Sequence, residues 1–350
     1  MTATMKAVLV REHGGFDKLL IEDAPKPQIK PDEVLISVRA AGINHLDLWV
    51  RKGVPGHKFP LPMILGTDIA GVVAEKGELV DNVNVGDRVA VMPGFASPTS
   101  PEALSGNIHL ARDYGIFGET RNGGCAEFMD APGVNMLPMP DWMSFTDAAA
   151  CPLVFLTAYT MLQKAALKPG ETVLMHAAGS GVTSAGIQIA KLLGATVITT
   201  AGSDEKLEKA KALGADYTVN YKTQDFVEET KKIVGRGGVE VIFDHVGPDT
   251  FAGNMKAIKW GGRIVMCGST SGGEVPLNLR AVFFKRVSII GSTMGPKADQ
   301  LAVWRLICQR KLKPVVDRVF PVGEVAKAHE YVESRAPFGK VVLDLAKWEA

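Results

Sequence analysis

The residues best suited to bind a ligand are small ones: the stretch from Ala177 to Thr183 holds two glycines, a serine and a threonine. An apolar run from Thr172 to Met175 precedes it, and a helical pattern that reaches Gly194 follows it. Glycines let backbone N–H groups approach a pyrophosphate, and the positive end of a helix dipole favours such an anion. The pattern predicts a dinucleotide-binding turn with five candidate contact residues: Gly179, Ser180, Gly181, Val182 and Thr183.

The end of the next predicted strand bears on the choice of cofactor. The strand predicted over 196–200 leads into Ala201 to Lys206, about 20 residues past the glycines, where an NAD site places a carboxylate for the ribose hydroxyls. Here the strand ends in small residues, and the hydroxyl of Ser203 and the ammonium of Lys206 suit a 2′-phosphate. We therefore expect NADP(H).

Two alternatives stay open at this point. Ser184 stands where a G-x-G-x-x-G fingerprint has its third glycine, so the turn alone fits a nucleotide-free βα connection nearly as well. In addition, Ser203 can act simply as the cap of a helix from Asp204 to Leu213, with Lys206 solvated. Asp204 or its neighbour Glu205 would then bind the ribose of NAD.

Two later strand ends add cofactor candidates, because open α/β sheets bind ligands outside the carboxyl ends of their strands. The fourth strand of the pattern ends in Asp244-His245-Val246-Gly247, and the fifth ends in Cys267-Gly268-Ser269. The predicted cofactor contacts from these two strand ends are His245, Val246, Cys267, Gly268 and Ser269.

Composition describes a globular protein with an ample core: 350 residues, 46% hydrophobic, with a net charge of +1. No basic patch indicates nucleic-acid binding. The longest apolar run, Ala148 to Leu162, is shorter than the roughly 20 residues that a membrane span needs. The N-terminal residues lack a signal-peptide core, so we expect a cytoplasmic protein. The four cysteines form no C-x-x-C pair and are expected to be reduced.

The pattern of predicted strands, turns and helices changes along the chain. Residues 1–140 alternate short β-like runs with Gly/Pro turns, which is typical of an antiparallel, barrel-like β domain. From about 141 to 293, six strands alternate with helices, as in a doubly wound parallel sheet. Strand patterns at 315–320 and 340–345 are expected to return to the first domain. We therefore predict an α/β protein with a β domain over 1–140 and 294–350 and a Rossmann domain over 141–293.

Several strings across the chain together resemble one family: Ala41 to Asp47, Leu65 to Val73, Gly86 to Val89, Gly123 to Phe128 and Leu156 to Tyr159. On these motifs the chain resembles the medium-chain dehydrogenases/reductases, of the zinc alcohol dehydrogenase and quinone reductase kind. The resemblance implies a GroES-like β domain and a central Rossmann domain, with a cleft between them for nicotinamide and a small-molecule substrate. It also implies a homodimer or homotetramer assembled through the edge of the Rossmann sheet.

The departures from the family concern zinc. Its alcohol dehydrogenases hold catalytic zinc through a cysteine, the His-Glu of a G-H-E motif and a further cysteine, and the matching positions carry Asn44, Thr67, Asp68 and Leu153. Asparagine, threonine and leucine are not usual zinc ligands, so no catalytic zinc is expected. The remaining alternative is a site built from His45, Asp47 and Asp68.

A second zinc position is lost as well. Zinc-containing relatives carry a C-x-x-C-x-x-C-x(7)-C lobe, and matching its flanks puts the four cysteines at Ser97, Ser100, Ala103 and Ala111. Without this metal, the lobe from Phe95 to Asp113 is expected to be looser or held by apolar packing. The residues expected to supply that packing are Leu104, Ile108 and Leu110.

Chemistry without a metal favours acceptors that delocalise charge themselves. Hydride addition to a quinone, an enone or another activated alkene needs less polarisation than alcohol oxidation does. The catalytic candidates are Asn44 and Asp47, which match an Asn-x-x-Asp pair of the zinc-free branch, and His45, which can donate to a substrate oxygen or relay a proton. Asp47 has a structural alternative, in which it holds Arg51 or a backbone turn. His45 has one as well, in which it is a hydrogen-bonded histidine that does not touch the substrate.

Three further cofactor residues come from the resemblance. Thr157 matches a family threonine that contacts the cofactor, Tyr221 an aromatic residue near the 2′-phosphate, and Lys340 a lysine that faces the cleft. Three functions fit: an NADPH-dependent, zinc-independent reductase, which we favour, an alcohol or aldehyde dehydrogenase using NAD(P), and an NADPH-binding protein without catalysis. Which substrate is used does not follow from sequence, because pocket shape is set in three dimensions.

Overall fold

The computed structural model describes residues 3–348. Two units are present, and each is described by itself. The first contains the chain up to Leu153, Pro296–Gln309 and the residues from Pro314 onward, and the second contains Val154–Gly295 with Arg310–Lys313. The first division lies after residue 153, whereas the sequence pattern placed it after residue 140. The short helix Phe145–Ala149 packs against strands of the β unit and therefore belongs to it.

Short strands make up most of the first unit. Up to residue 164 the strands and helices are β1 (Thr4–Val10), β2 (Leu20–Pro25), β3 (Glu33–Ile43), α1 (His45–Lys52), β4 (Met63–Ile64), β5 (Asp68–Lys76), β6 (Arg88–Val91), β7 (Gly94–Phe95), α2 (Pro101–Leu104), β8 (Gly115–Ile116), β9 (Phe128–Pro132), β10 (Met136–Pro138), α3 (Phe145–Ala149) and α4 (Pro152–Lys164).

The second unit alternates strands with helices: β11 (Thr172–Met175), α5 (Gly181–Leu192), β12 (Thr196–Ala201), α6 (Asp204–Ala212), β13 (Tyr217–Asn220), α7 (Phe226–Val234), β14 (Val239–Asp244), α8 (Pro248–Ala257), β15 (Ile258–Met266), α9 (Leu279–Lys285) and β16 (Ser288–Gly291). The chain then returns to the first unit with α10 (Lys297–Cys308), β17 (Val316–Pro321), α11 (Val325–Glu333) and β18 (Lys340–Asp344).

The main sheet of the first unit joins both parts of the chain. Its strand order is β10-β6-β5-β3-β18-β17, with β9 also paired to β3. The C-terminal strand β18 runs antiparallel to β3 and places Val341 opposite Ile43. Apolar residues of β3, β5, β6 and β18 form one buried core. The predicted return of the chain end to the first domain is confirmed, and it brings residues near 340 beside residues near 44.

All six strands of the second unit are parallel, in the order β13-β12-β11-β14-β15-β16. The order reverses at β11 and β14, and ligands of such sheets bind at the carboxyl ends of the strands near that reversal. Each strand predicted from the sequence is present, with β15 beginning earlier, at Ile258. The predicted doubly wound sheet is confirmed.

The lobe between β7 and β8 was expected to be looser or held by apolar packing, and of the three residues named for that packing only Ile108 is half-buried. Its expected packing residues Leu104 and Leu110 are 75% and 62% exposed, so apolar burial by these two side chains is not what holds it. Polar contacts do: Ser100 caps α2 by accepting the N–H of Ala103, and the N–H of Ser97 donates to Asp113 Oδ2 at 2.9 Å. Hydrogen bonding therefore takes the place that we assigned to leucine packing.

Within residues 3–348, none of the helices combines the length and apolar character that crossing a membrane requires. All four cysteines carry free thiols, at positions 125, 151, 267 and 308.

Candidate active site

The glycine-rich turn connects β11 to α5 in the second unit. After buried His176 the backbone turns through Ala177, which adopts the left-handed region at a φ of 54°. Ser180 then caps α5 by accepting the N–H of Val182 at 3.2 Å. The remaining N–H groups of the first helical turn have no partner within the helix, and such donors suit a pyrophosphate. The turn therefore has the geometry that the predicted role requires.

Thr183 links this turn to the end of β14. Its hydroxyl donates to the carbonyl of His176 at 2.8 Å and lies 3.0 Å from His245 Nε2. Since the hydroxyl has only one proton to give, His245 Nε2 is the donor in the second bond. The N–H groups of Thr270 and Ser271 donate to the carbonyls of His245 and Val246, so the loops after β14 and β15 are also joined. Sequence-predicted cofactor residues from three strands thus meet at one edge.

The other predicted cofactor residues include three from the loop after β15 and one from α4. A side chain at Gly268 would come within 3.5 Å of His245, so these two residues are close neighbours. Ser269 donates its hydroxyl to the carbonyl of Gly272. Cys267 follows β15, and burial raises the pKa of its thiol to about 12, so the thiol stays protonated. Thr157 is buried within α4. Direct contact of these residues with a cofactor stays a prediction.

A buried polar chain behind the turn was missed by the sequence reasoning. His176 donates from Nε2 to Asn254 Oδ1 at 2.7 Å, and Asn254 Nδ2 donates to Asp244 Oδ2 at 2.6 Å. Asp244 also accepts the N–H of Val246 at 2.7 Å, which holds the loop after β14. Burial lowers the pKa of His176, and the charge of Asp244 opposes that shift. His176 directly follows a strand, which was an available signal, whereas Asn254 lies in α8 and carried none.

The end of β12 contains the residues expected to select the cofactor. Ser203 caps α6 by accepting the N–H of Lys206 at 3.4 Å, as the alternative interpretation has it. The carboxylate of Asp204 accepts a hydrogen bond from Asn220 Nδ2 at 2.7 Å. The ring of Tyr221 lies against Gly202, where any side chain would come within 2.6 Å of its hydroxyl. The carboxylate of Asp204 is therefore already hydrogen bonded to a residue of β13.

In the first unit, Asn44 and Asp47 form a capping box at the start of α1. Asn44 donates its backbone N–H to Asp47 Oδ2 at 2.8 Å, and Gly66 donates its N–H to Asp47 Oδ1 at 3.0 Å. Burial raises the pKa of Asp47 to about 6, against the lowering effect of these two hydrogen bonds and of Lys340. Both carboxylate oxygens of Asp47 thus accept hydrogen bonds from backbone N–H groups.

Arg51 was one structural partner considered for Asp47, and it contacts a different carboxylate. Its guanidinium lies 2.7 Å from Glu333 Oε2 and 4.3 Å from the ring centre of Phe16. Of the two structural roles considered for Asp47, the structure thus contains the backbone turn and not the pair with Arg51.

The side chain of Asn44 points to Asp68 and Lys340. Asn44 Nδ2 donates to Asp68 Oδ2 at 3.0 Å, and Lys340 Nζ donates to Asn44 Oδ1 at 2.6 Å. Asp68 also accepts from Lys340 at 2.9 Å and from the backbone N–H of Leu153 at 2.7 Å. Asp68 and Lys340 are 0% and 4% exposed, so this is a buried and well-partnered ion pair.

His45, the first residue of α1, differs from its neighbours because its side chain is exposed. Protein atoms still surround the ring closely enough for desolvation to lower its pKa, and the charges of Lys340 and Arg335 add to the effect. The imidazole is therefore neutral near pH 7, with one N–H donor and one acceptor. Of the three catalytic candidates, His45 is the one that is open to a ligand.

The family's catalytic zinc does not fit these residues. The four matching positions, Asn44, Thr67, Asp68 and Leu153, do lie together, but Asp68 supplies the one carboxylate and already neutralises Lys340. In the described part of the chain, no group of three or more His, Cys, Asp or Glu side chains could hold a metal ion. The alternative set of His45, Asp47 and Asp68 is not such a group.

Comparison with known proteins agrees with this architecture. A model of the alcohol dehydrogenase GroES-like domain matches residues 30–141, and a model of the zinc-binding dehydrogenase family matches residues 181–309. Quinone oxidoreductase-like protein 2 of Bos taurus is 34% identical over 340 residues, which cover 93% of this chain and 89% of the relative. Quinone oxidoreductase of Homo sapiens is 30% identical, with 97% of each chain covered.

Solved structures give the same result. A crystal structure of an NAD-dependent alcohol dehydrogenase superposes with a TM-score of 0.94 at 45% identity, covering 98% of this chain and 100% of that chain. The GroES-like β domain and the Rossmann domain expected from the sequence are thereby confirmed.

Proposed function

The chain belongs to the medium-chain dehydrogenase/reductase superfamily and is an oxidoreductase, and we propose that it transfers hydride from NADPH to a quinone, an enone or another activated alkene without zinc. The observation that carries this proposal is the set of residues at the family's zinc positions. Asn44, Asp68 and the backbone N–H of Leu153 are hydrogen bonded to one another or to Lys340, so Asp68, the one usual zinc ligand of the set, is not vacant for a Lewis acid. An acceptor that spreads the developing charge itself is the substrate class that such a site favours.

Support for NADPH comes from the end of β12. The carboxylate of Asp204, which could bind the ribose hydroxyls of NAD, is hydrogen bonded to Asn220. Asn220 is held in this orientation, because its Oδ1 accepts the N–H of Lys222 at 3.1 Å and leaves Nδ2 facing Asp204. Lys206 in α6 and the exposed Tyr221 then remain the groups suited to a 2′-phosphate.

The proposed chemistry assigns separate tasks to the two units. The turn around Ser180 and the loop at His245 would hold NADPH, which when bound would supply the hydride. Neutral His45 donates an N–H to the substrate carbonyl oxygen, where negative charge develops as the hydride arrives. The proton that completes the reduction comes from solvent, directly or through the same imidazole.

The first test is turnover with one quinone, one enone and one aldehyde, using NADPH and NADH in parallel on protein of known zinc content. We expect NADPH-dependent reduction of the quinone or the enone by zinc-free protein. Reduction of the aldehyde alone, or activity that appears only with bound metal, would contradict the proposal.

Cofactor choice is tested by Lys206→Ala, which should raise the Kd for NADPH roughly tenfold or more and leave that for NADH little changed. Lys211→Ala is the matched control, because this lysine lies in the same helix and pairs with Glu208. Equal losses for both cofactors would refute the assignment.

A second function, NAD-dependent alcohol dehydrogenation, is favoured by one observation. The solved structure with 45% identity is described as an NAD-dependent alcohol dehydrogenase. Oxidation of simple primary or secondary alcohols with NAD+, at rates above those of enone reduction with NADPH, would select it.

We also propose a homodimer that forms through the β16 edge of the Rossmann sheet, with a homotetramer as the larger alternative. Close to this edge strand in sequence, Leu279, Phe283 and Phe284 of α9 are 70%, 62% and 62% exposed, and a second copy would cover them. Light scattering should give twice the chain mass, and Phe283→Asp should give monomers; a monomeric wild type would refute the interface.

We expect a cytoplasmic location, which the free cysteines favour.

A further inference from the structure

The ammonium of Lys340 is held inside the first unit by three oxygen atoms. Nζ lies 2.6 Å from Asn44 Oδ1, 2.8 Å from the carbonyl oxygen of Ile43 and 2.9 Å from Asp68 Oδ2. Three acceptors use all three N–H donors of an ammonium. The side chain is 4% exposed, so its charge is compensated almost entirely by these protein groups.

These contacts involve the residues that, on the family resemblance, match the catalytic zinc ligands of metal-dependent relatives. Asn44 and Asp68 each bind the ammonium directly, and Leu153 donates its backbone N–H to Asp68 at 2.7 Å. Thr67 is fully buried, and its hydroxyl has no hydrogen-bond partner. The cation that joins these segments is therefore part of the chain, and a metal ion at the same place would have to displace it.

The position of Lys340 is set by backbone on both sides. It begins β18, which runs beside β3, and its N–H donates to the carbonyl of Val315 at 2.8 Å. Gly339 precedes it at a φ of 99°, where a side chain would come within 2.4 Å of the same carbonyl oxygen. The ammonium consequently reaches Asn44 from a rigid strand.

We propose that Lys340 is a positioning residue of the active site and takes over the organising role that zinc has in metal-dependent relatives. It acts through Asn44, whose side chain it binds and whose backbone begins the capping box of α1. That box sets the first turn of α1, and His45 is its first residue. The inference rests on the proposed metal-free reaction and names the group that makes the site independent of metal.

The physical reason is the cost of burying Asp68 alone. A fully buried carboxylate needs a cation or several donors, and loss of its partner leaves an uncompensated charge. Without the ammonium, Asn44 would lose the donor to its Oδ1, and Asp68 would keep only two neutral donors, Asn44 Nδ2 and the Leu153 N–H. The start of α1 would then relax, and small displacements of a catalytic group reduce turnover strongly.

The test compares Lys340→Met with the double variant Lys340→Met/Asp68→Asn, and Lys327→Met serves as control because Lys327 is an exposed lysine of α11. We expect Lys340→Met to lower Tm by roughly 5 °C or more. Below its Tm, it should lower kcat by roughly 10- to 100-fold while the Kd for NADPH stays within about twofold. The double variant should regain Tm and keep a low kcat.

Two results would overturn the inference. One is an unchanged kcat in folded Lys340→Met. The other is recovery of both Tm and kcat in the double variant, which would make Lys340 only a counter-ion for Asp68.

Zinc binding can be measured without enzymatic turnover, so this measurement separates the inference from the proposed function. Wild-type protein incubated with zinc chloride and desalted should retain no stoichiometric zinc at this site. One zinc per chain, lost on Asp68→Asn, would overturn the inference even if enone reduction is observed. If the wild type reduces neither enone nor quinone, the proposed function fails, while the zinc and Tm measurements still decide whether Lys340 occupies the metal position.

Discussion

The two regions at which the family binds zinc have lost their ligands in different ways. At the catalytic position, a lysine from the last strand fills the place among buried Asn44 and Asp68. At the lobe between β7 and β8, the four cysteine positions carry serine and alanine, and Leu104 and Leu110 nearby are exposed. On the proposed metal-free interpretation, the first region has an internal cation among its matching residues, and the second has hydrogen bonds such as the exposed one from the Ser97 N–H to Asp113.

The difference follows from burial. A buried carboxylate such as Asp68 cannot be left without a counter-charge, so loss of a metal beside it requires a substitute. The lobe is solvent-exposed over much of its length, and water can satisfy its polar groups. We therefore expect that the catalytic position resists change in either direction, whereas the lobe accepts changes at small cost.

The largest expected effect is recovery of zinc by the lobe. The variant with Ser97→Cys, Ser100→Cys, Ala103→Cys and Ala111→Cys should bind one zinc per chain, because the lobe has kept the length of the metal-binding form. Structural zinc sites of four thiolates bind with apparent free energies of about 10 kcal/mol or more. Metal analysis after desalting measures the stoichiometry, and Tm with and without chelator measures the stabilisation.

The matched comparison restores ligands at the catalytic position. Asn44→Cys with Thr67→His should fail to bind zinc while Lys340 is present, because the ammonium occupies the space and repels a divalent cation. Zinc in this double variant, or none in the folded lobe variant, would remove the distinction between the two regions.

A smaller effect concerns pH at the buried region. Asp47 has its pKa raised from 3.8 to about 6 in the folded chain, so the folded state binds this proton more tightly than the unfolded state does. Its contribution to stability is therefore present below pH 4 and is lost as pH rises through 6, a change of roughly 3 kcal/mol. The variant Asp47→Asn lacks this dependence.

Chemical denaturation of both proteins from pH 4 to pH 7.5 measures the difference. The stability of Asp47→Asn relative to wild type should increase with pH over that range. Parallel curves would mean that Asp47 titrates in the folded chain much as it does in the unfolded one.

The same contrast explains what could be predicted from sequence. The strands of the second unit follow from patterns of neighbouring residues, and their prediction was confirmed. The cap at Ser203 is also local, and there the structure contains the alternative interpretation, while the predicted contact with a 2′-phosphate stays a prediction. The lobe was matched by its flanking residues, but the exposure of Leu104 depends on what surrounds it in space. Apolar identity alone indicated packing by Leu104 and Leu110, and for these two residues the prediction was wrong.

The contacts that define the catalytic region could not be predicted from the sequence. Lys340 and Asn44 are 296 positions apart, and Arg51 and Glu333 are 282 apart. Sequence chemistry named Asn44, Asp47 and Lys340 as candidates, yet their mutual bonds depend on the pairing of β18 with β3. The family resemblance indicated which sequence positions belong to the site, whereas the ion pair with Asp68 is known only from the three-dimensional structure.

Within the lobe, one hydrogen bond should account for a modest share of stability. Asp113 Oδ2 accepts the N–H of Ser97 at 2.9 Å in an exposed setting. Asp113→Ala should therefore lower the free energy of unfolding by about 1 kcal/mol. Urea denaturation measures this loss, and a cost above that of breaking a buried ion pair, about 3 kcal/mol, would show that the lobe is not the tolerant region.

The smallest effect is expected at the exposed leucines. Leu104→Ser and Leu110→Ser should each change the free energy of unfolding by less than about 0.5 kcal/mol, because little apolar surface is buried at either side chain. Leu343→Ala, at a fully buried position of β18, should cost about 2–5 kcal/mol and calibrates the measurement. A loss above 2 kcal/mol at Leu104 that grows with protein concentration would mean that a second copy covers the lobe. In that case the lobe has exchanged its metal for a subunit contact, and both zinc positions have been compensated.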